Sequence, residues 1–415
     1  MAKKPIHVTS EIGDLQRVVL HRPGVELANL KVDEFEKCWI HDAFYLEYAQ
    51  KEHDVFADIL RAEGAEVLYM EELLAEAMDQ HPEARKAFLD EYMSQAPIPD
   101  PWLVPLVREK LDAITDNREL VAKALAGMRL KELDIAHGPR SLSRLDGDGL
   151  SPDDFVVYSM PSSYFSRDPI ASIGTGVALH RMYWDQRNRE VPFYKTFLTY
   201  HDDFAGTPFW YDNHDAAHIE GGDVLNINEK TLAIGISQRT EAAAIDTLAR
   251  NLFWGPQPSA IETVYAIKIP WGYETMHLDT VCTQIDYDKF TVYPGMYDEL
   301  KAYRLRKGDN EGEVAVEEIA GSLKEILEMA TGVDDVQLIE CGGGDPVEAS
   351  REQWNDGSNT LAIAPGKVCV YERNVVTNGV LRQAGIELCV VPSEELSRGR
   401  GGPRCMSMPF ARADI

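Results

Sequence analysis

The spacing of apolar residues changes period several times along this chain, and each change predicts an element. "LQRVVLHRP" reads as a strand ended by Pro23 and Gly24. "EYAQKEHDVFADILRAEGAEVLYM" then spaces its apolar residues as an amphipathic helix, stops at Gly64 and resumes as a second strand. From about Glu71 to Ile135 the segments "EELLAEAMDQHPEARKAFLDEY", "WLVPLVREKLDAIT" and "RELVAKALAGMRLKEL" are helix-periodic, with no strand signal between them. They predict a helical insertion, 71–135, between two parts of another domain, 1–70 and 136–415. "GPRSLSRLDGDGLSPDD" reads as the connecting loop.

Beyond it one pattern recurs. "GGDVLNINEKTLAIGIS", "RTEAAAIDTLARNLF" and "VYAIKIP" predict strand, turn, strand, helix, strand. "HLDTVCTQIDYDKFTVYP", "AVEEIAGSLKEILEMAT" and "VQLIEC" repeat it, and "NTLAIAPGKVCVYERN", "VVTNGVLRQAG" and "IELCVVP" repeat it again. Three ββαβ units in order, with a shorter relative at the N-terminus, point to a propeller-like ring of α/β modules. A two-layer α/β sandwich is compatible with the same pattern.

Composition narrows the function classes. The chain has 415 residues and a formal net charge of −28, which argues against a nucleic-acid or anionic-membrane partner and would attract a cationic ligand. The start, "MAKKPIHVTSEIGD", lacks the apolar stretch of a signal peptide, and no run is long and apolar enough for a membrane span. Six cysteines, none in a C-x-x-C pair, suggest neither a zinc ribbon nor a disulfide framework. A cytoplasmic protein is the expectation.

Ionisable residues concentrate at strand junctions. Asp168 lies in "PSSYFSRDPIASIGTG", where an acid before proline is also a turn former. "DAAHIEGGDVLNI" carries His218, Glu220 and Asp223 around two glycines, which read equally as a plain turn. His214 and His218 are four apart, but no helix or third ligand supports a metal pair. In "YETMHLDTVCTQID", His277 and Asp279 enter a predicted strand at alternate positions, which would place both on one face. Cys405, in "SRGRGGPRCMSMP", follows glycines and arginines, as an accessible thiol with nearby cations would. Cys341, before "GGGDP", is the rival nucleophile and lacks adjacent cations. A thiol and an imidazole with several carboxylates suit a cationic substrate. A planar guanidinium takes bidentate carboxylates on its edges, and its charge would favour the attacking thiolate.

Four segments in order, "FSRDPIASIG", "HIEGGDV", "MHLDTV" and "GRGGPRCMSMP", resemble the arginine deiminase family across essentially the whole chain. The resemblance implies a pentein fold, a five-bladed α/β propeller of ββαβ modules, with the helical bundle as an inserted subdomain. It implies hydrolysis of L-arginine to L-citrulline and ammonia, with Cys405 as nucleophile forming a covalent S-alkylthiouronium. His277 would protonate the leaving ammonia and then activate water, Asp168 and Asp279 would clamp the guanidinium, and Glu220 would hold the imidazolium. Arg187 and Arg239 match arginines that bind the substrate's carboxylate, Arg400 matches a mobile arginine on a glycine-rich closing loop, and Phe165 and Ser162 fall among the substrate-binding positions. No metal or cofactor is implied, the partner is the small guanidino substrate, and a homo-oligomer is expected.

Two positions depart from the family pattern. Ser162 stands where an asparagine is usual, with shorter reach toward the substrate's amino-acid end, and Arg404 stands where a histidine is common. Three other readings share the fold: an amidinotransferase, in which an amine attacks the thiouronium; agmatine deiminase, which has no use for Arg187 and Arg239; and a non-catalytic ribosome-binding factor, which needs no thiol, imidazole and carboxylate set.

Overall fold

The computed structural model describes residues 5–38, 40, 42–133, 135, 142, 151–257 and 259–415. Most of the predicted loop over 138–154 lies outside them.

Five sheets share one construction. In each, a first strand runs antiparallel to a second, and a third lies parallel to the second. The five triplets are Ile170–Ile173, Gly176–Leu179 and Phe209–Tyr211; Val224–Asn228, Thr231–Ile236 and Thr263–Lys268; Cys282–Gln284, Lys289–Val292 and Gln337–Glu340; Leu361–Ala364, Lys367–Tyr371 and Glu387–Val391; and Met408–Arg412, Leu15–Leu20 and Glu66–Tyr69. A parallel pair needs a crossover, and helices supply it: Val191–Tyr200, Ala242–Trp254, Leu323–Thr331, Val375–Gln383 and Leu46–Ala62. The last triplet takes its first strand from the C-terminus, so the two chain ends close one sheet.

Each helix buries one apolar stripe against its sheet. Ala49, Phe56, Ala57 and Leu60 of the 46–62 helix join Val18 and Leu20 in one core, and Ile245, Leu248 and Leu252 join Ile234 and Val264 in another. Helices Met70–Gln80 and Pro82–Gln95 pack on Val191–Tyr200, Asn117–Ala126 packs on the first of them and Leu103–Asp112 on the second, with Leu74, Phe88 and Leu120 in the same apolar cluster as Phe193, Phe197 and Phe410.

Several predicted elements come out differently. "AVEEIAGSLKEILEMAT" is not one helix: Val314–Ile319 is an outer strand paired to Lys301–Lys307, which extends the second triplet to five strands. The helix begins only at Leu323, where the Ser322 Oγ accepts the Glu325 N–H and the Glu325 carboxylate accepts the Ser322 N–H. The stretch "RELVAKALAGMRLKEL" stops being helical at Gly127, whose φ of 75° suits glycine, and Met128–Arg129 then pairs with Phe155–Val157. His81 and Pro82 divide "EELLAEAMDQHPEARKAFLDEY" into two helices, since proline is tolerated only in a first turn. The unit over 170–211 and the C-terminal origin of the first unit's opening strand went unread in the sequence.

Candidate active site

The same position in every unit, the loop entering its first strand, delivers chemistry to one cleft. Asp168 precedes the strand at Ile170, Glu220 the one at Val224, His277 and Asp279 the one at Cys282, and Cys405 the one at Met408. Asp168, His277 and Cys405 line the cleft with Ser162, Phe165, Arg187, Arg239, Asp356 and Arg400. Glu220 and Asp279 lie behind it, fully buried.

His277 and Asp279 do not share a strand face. Leu278–Val281 is a short helical turn with His277 at its N-cap, because the Asp223 Oδ1 accepts the Leu278 N–H at 2.8 Å and satisfies a first-turn donor. Asp223 is fixed further by the Ser237 hydroxyl, which donates to Oδ2 at 2.6 Å. Gly222 lets the imidazole lie against the backbone, for a Cβ there would sit 2.6 Å from His277 Nδ1.

His277 Nε2 is 2.7 Å from Glu220 Oε2, and Nδ1 is 3.9 Å from Asp168 Oδ1. Burial alone would lower the His277 pKa, but Asp168, the Glu220 hydrogen bond and Asp223 outweigh it and raise it to about 9. The ring is therefore an imidazolium at neutral pH. Glu220 is held far below the usual carboxylate range: burial opposes this, but Arg239, 3.4 Å away, and His277 overcome it.

Cys405 is buried, not accessible. Its thiol pKa is pushed well up by burial and then by the charges of Asp279, Asp168 and Asp356. The expected cation control of the thiol is absent for a geometric reason. Arg404 points away, donating to Glu11 at 3.0 and 3.1 Å and to Asp279 Oδ2 at 2.7 Å, and Arg400 lies over the Trp354 ring at 3.5 Å. Asp279 Oδ2 is 3.8 Å from the sulfur, and Asn359 ties the two loops together: its Oδ1 accepts the Cys405 N–H and its Nδ2 donates to the Asp279 carbonyl. Cys341 is deeply buried and takes the Thr377 hydroxyl at 3.3 Å; burial raises its thiol to about 11.

Arg187 donates twice to Glu190, at 2.9 and 2.8 Å, and once to Asp168 Oδ2 at 2.8 Å. That last bond leaves Asp168 Oδ1 for an arriving guanidinium. Arg400 adopts φ 63° and ψ 57°, a left-handed conformation that costs a non-glycine residue about 1–2 kcal/mol. The glycines beside it serve close approach: a Cβ at Gly399 or Gly401 would overlap Tyr164 or Phe165. His214 pairs with Glu91 at 2.8 Å and His218 Nδ1 faces the Met182 carbonyl, so neither joins a ligand cluster. Among the described residues, the donor atoms that could share an ion belong to Asp168, Glu220 and His277, mutually within 4.8 Å. The imidazolium state of His277 opposes that use.

Asp356, Asn359, Glu190 and Glu11 were missed in the sequence. Asp356 sits before Gly357, which signals only a turn; Glu11 lies some 390 positions from its partner Arg404.

Comparison with known proteins decides the family. The arginine deiminase family model matches residues 38–412. The chain belongs to the arginine deiminase family. It is 47% identical to an arginine deiminase from Treponema denticola over 411 residues, 99% of each chain, and 48% identical to one from Streptococcus pyogenes over the whole of both. Among solved structures it is similar to an amidinotransferase of saxitoxin biosynthesis from Microseira wollei, with a TM-score of 0.55 and 15% identity over 99% of this chain and 98% of that one. A DDAH from Pseudomonas aeruginosa gives a TM-score of 0.52 and 12% identity over 96% and 100%. These two likenesses speak to the mixed α/β fold. Among the described residues, no helix is long and apolar enough to cross a membrane.

Proposed function

We propose that this arginine deiminase family member hydrolyses L-arginine to L-citrulline and ammonia, in arginine catabolism, through a covalent intermediate on Cys405. The observation that carries the reading is His277 held 2.7 Å from Glu220 and 3.9 Å from Asp168, beside a buried thiol in the same cleft that lies 3.8 Å from Asp279 Oδ2.

Asp168 and Asp279 take the edges of the substrate guanidinium, each keeping an oxygen with no hydrogen-bond partner among the described residues, Oδ1 in both cases. The incoming positive charge offsets the carboxylates that hold the thiol neutral, so substrate binding selects the thiolate. The sulfur adds to the central carbon, and His277 gives its proton to the departing nitrogen, which leaves as ammonia. The neutral imidazole then takes a proton from water, which attacks the thiouronium and releases the ureido product and the thiol. Glu220 holds the ring throughout. Arg187 and Arg239 bind the α-carboxylate, Ser162 and Phe165 contact the chain of the substrate, and Arg400 closes over it.

The five like sheets support a closed five-bladed propeller, with 71–135 as an inserted helical subdomain within 1–70 and 136–415. Six unpaired cysteines support a cytoplasmic setting. A homo-oligomer belongs to the same reading, and light scattering tests it.

The deciding assay incubates the protein separately with L-arginine and with agmatine, and measures ammonia and the ureido product. Citrulline from arginine and no product from agmatine is the expected result. Amidine transfer to an added amine in place of citrulline would show the amidinotransferase reaction, and activity on neither substrate would refute the proposal.

A further inference from the structure

Four of the five loops that enter a first strand hold residues with a part in the proposed reaction. The fifth, before Leu361, brings Asp356 to the wall of the same cleft, beside His277, Arg400 and Cys405. The residue is 95% buried, and its Oδ2 has no hydrogen-bond partner among the described residues. The backbone there has φ 57°, a left-handed conformation at a non-glycine residue, so the fold holds the carboxylate in place against local strain.

The reaction has a proton without a destination. Cys405 starts as a thiol and must give up its proton for sulfur to bond to carbon. His277 already carries its proton and cannot accept another. Glu220 is bonded to His277 and Arg239 and is far too acidic. The thiol donates to Asp279 Oδ2 at 3.8 Å, but that oxygen also holds Arg404 at 2.7 Å, as Asp168 Oδ2 holds Arg187. The substrate guanidinium takes the other oxygen of each, so both carboxylates stay charged between two cations. Among the described carboxylates of the cleft, that leaves Asp356.

Resting on the deiminase reading, we propose that Asp356 is the base that takes the Cys405 proton as the thiol attacks the guanidinium carbon. The S–H bond breaks as the S–C bond forms; the proton goes to Oδ2, and the C=N π electrons go to a guanidinium nitrogen. Asp356 later returns the proton to water at the cleft mouth, before the next turnover. Burial, with help from Asp279, raises this carboxyl to about 7 while Arg400 and His277 oppose it, a value suited to both taking and releasing a proton at neutral pH. The other ionisable groups that feel its charge are Cys405, Cys341, Tyr164 and Tyr371, and burial keeps Cys341 and both phenols neutral.

The test is Asp356→Asn, with Asp356→Ser as a second variant that leaves room for a small acid. Citrulline kinetics with and without sodium formate, thermal melting, and mass spectrometry of enzyme quenched during turnover are read together. The expected result is a kcat lower by roughly 100-fold or more with KM within threefold. Less thiouronium adduct should be trapped than in wild type, and kcat of the serine variant should rise with formate concentration. A folded variant with kcat within threefold of wild type would overturn the assignment. So would a loss expressed in KM that formate does not rescue, because Asp356 would then hold Arg400 or the substrate. A wild-type protein that makes no citrulline fails before any variant is compared, and overturns the reading of the whole site.

Discussion

Arg404→Met removes a buried cation from between two carboxylates. Arg404 is fully buried and makes four hydrogen bonds, two to Glu11, one to Asp279 Oδ2 and one to the Val224 carbonyl at 2.8 Å. Breaking a buried pair from one side costs about 3–5 kcal/mol, because the remaining charges stay buried without a partner. A second route gives a similar size. Burial would raise the Glu11 carboxyl, but Arg404, with Arg167 and Arg412 behind it, lowers it from 4.5 to about 2. That difference between fold and open chain is worth about 3 kcal/mol at neutral pH. The sign follows from the depressed pKa: this stability is present above about pH 4.5 and is lost as pH falls toward about 2. In Arg404→Met the order reverses, since a buried Glu11 without its cation prefers to be protonated. The variant should therefore melt on the order of 5 °C below wild type at pH 7, and the gap should narrow as pH falls from 4.5 toward 3. Asp279 loses the donor that orients it, so KM for arginine should rise at least tenfold. Glu11→Gln added to Arg404→Met should restore part of the lost stability. Melting curves from pH 3 to 7 and citrulline kinetics check this; a gap below 1 °C, or one independent of pH, with unchanged KM, would refute the reasoning.

Cys405→Ser should abolish citrulline formation while arginine affinity, read by calorimetry, stays within a few fold; turnover near wild type would remove Cys405 as nucleophile. Ultraviolet titration of substrate-free protein should show no Cys405 thiolate signal, judged against Cys405→Ser, below pH 8, and a thiolate at pH 7 would end the substrate-selected ionisation model. Activity should fall above about pH 9 as His277 loses its proton, and Glu220→Gln should move that limb to lower pH; an unmoved limb would separate His277 from the alkaline loss. Gly222→Ala should lower kcat at least tenfold by displacing the imidazole, and a fully active alanine variant would show that the ring has room to shift.

Where local pattern and tertiary demand agree, the sequence was readable. The helix at Leu46–Ala62, its stop at Gly64 and the strand Glu66–Tyr69 follow from apolar spacing and one glycine with φ 93°. The same reasoning fails at Val314–Ile319, whose valines, isoleucine and glutamates fit either period; the decision comes from pairing with Lys301–Lys307, a long-range fact. It fails at His277 for a similar reason, because the side chain that starts the helical turn is Asp223, 55 positions away. The sheet made from Met408–Arg412 and Leu15–Leu20 joins the chain ends and has no local signature at all. Candidate site residues were legible where they sat inside long motifs. Asp356 was not, because an acid followed by glycine is the commonest of turn signals, and its function depends on burial that only the fold creates.

The distribution of charge in the cleft explains why this arrangement needs a cationic substrate. The arginines nearest the reacting groups are turned to other work: Arg404 to Glu11 and Asp279, Arg187 to Glu190 and Asp168, Arg239 to Glu220. Asp279, Asp168 and Asp356 then act on the thiol together with burial, and all push its pKa up. A neutral substrate would leave that field in place and meet an unreactive S–H. A guanidinium placed between Asp168 and Asp279 offsets part of the negative charge beside the sulfur, so the group to be attacked is also the group that favours ionisation of its attacker. The same field keeps the thiol un-ionised toward small electrophiles in the absence of substrate, because the thiolate is the reactive form. Neutral alkylating agents should therefore modify Cys405 slowly, and a cationic amidine electrophile of similar intrinsic reactivity should modify it much faster. Equal rates for the two reagents would mean that the carboxylates do not control the thiol.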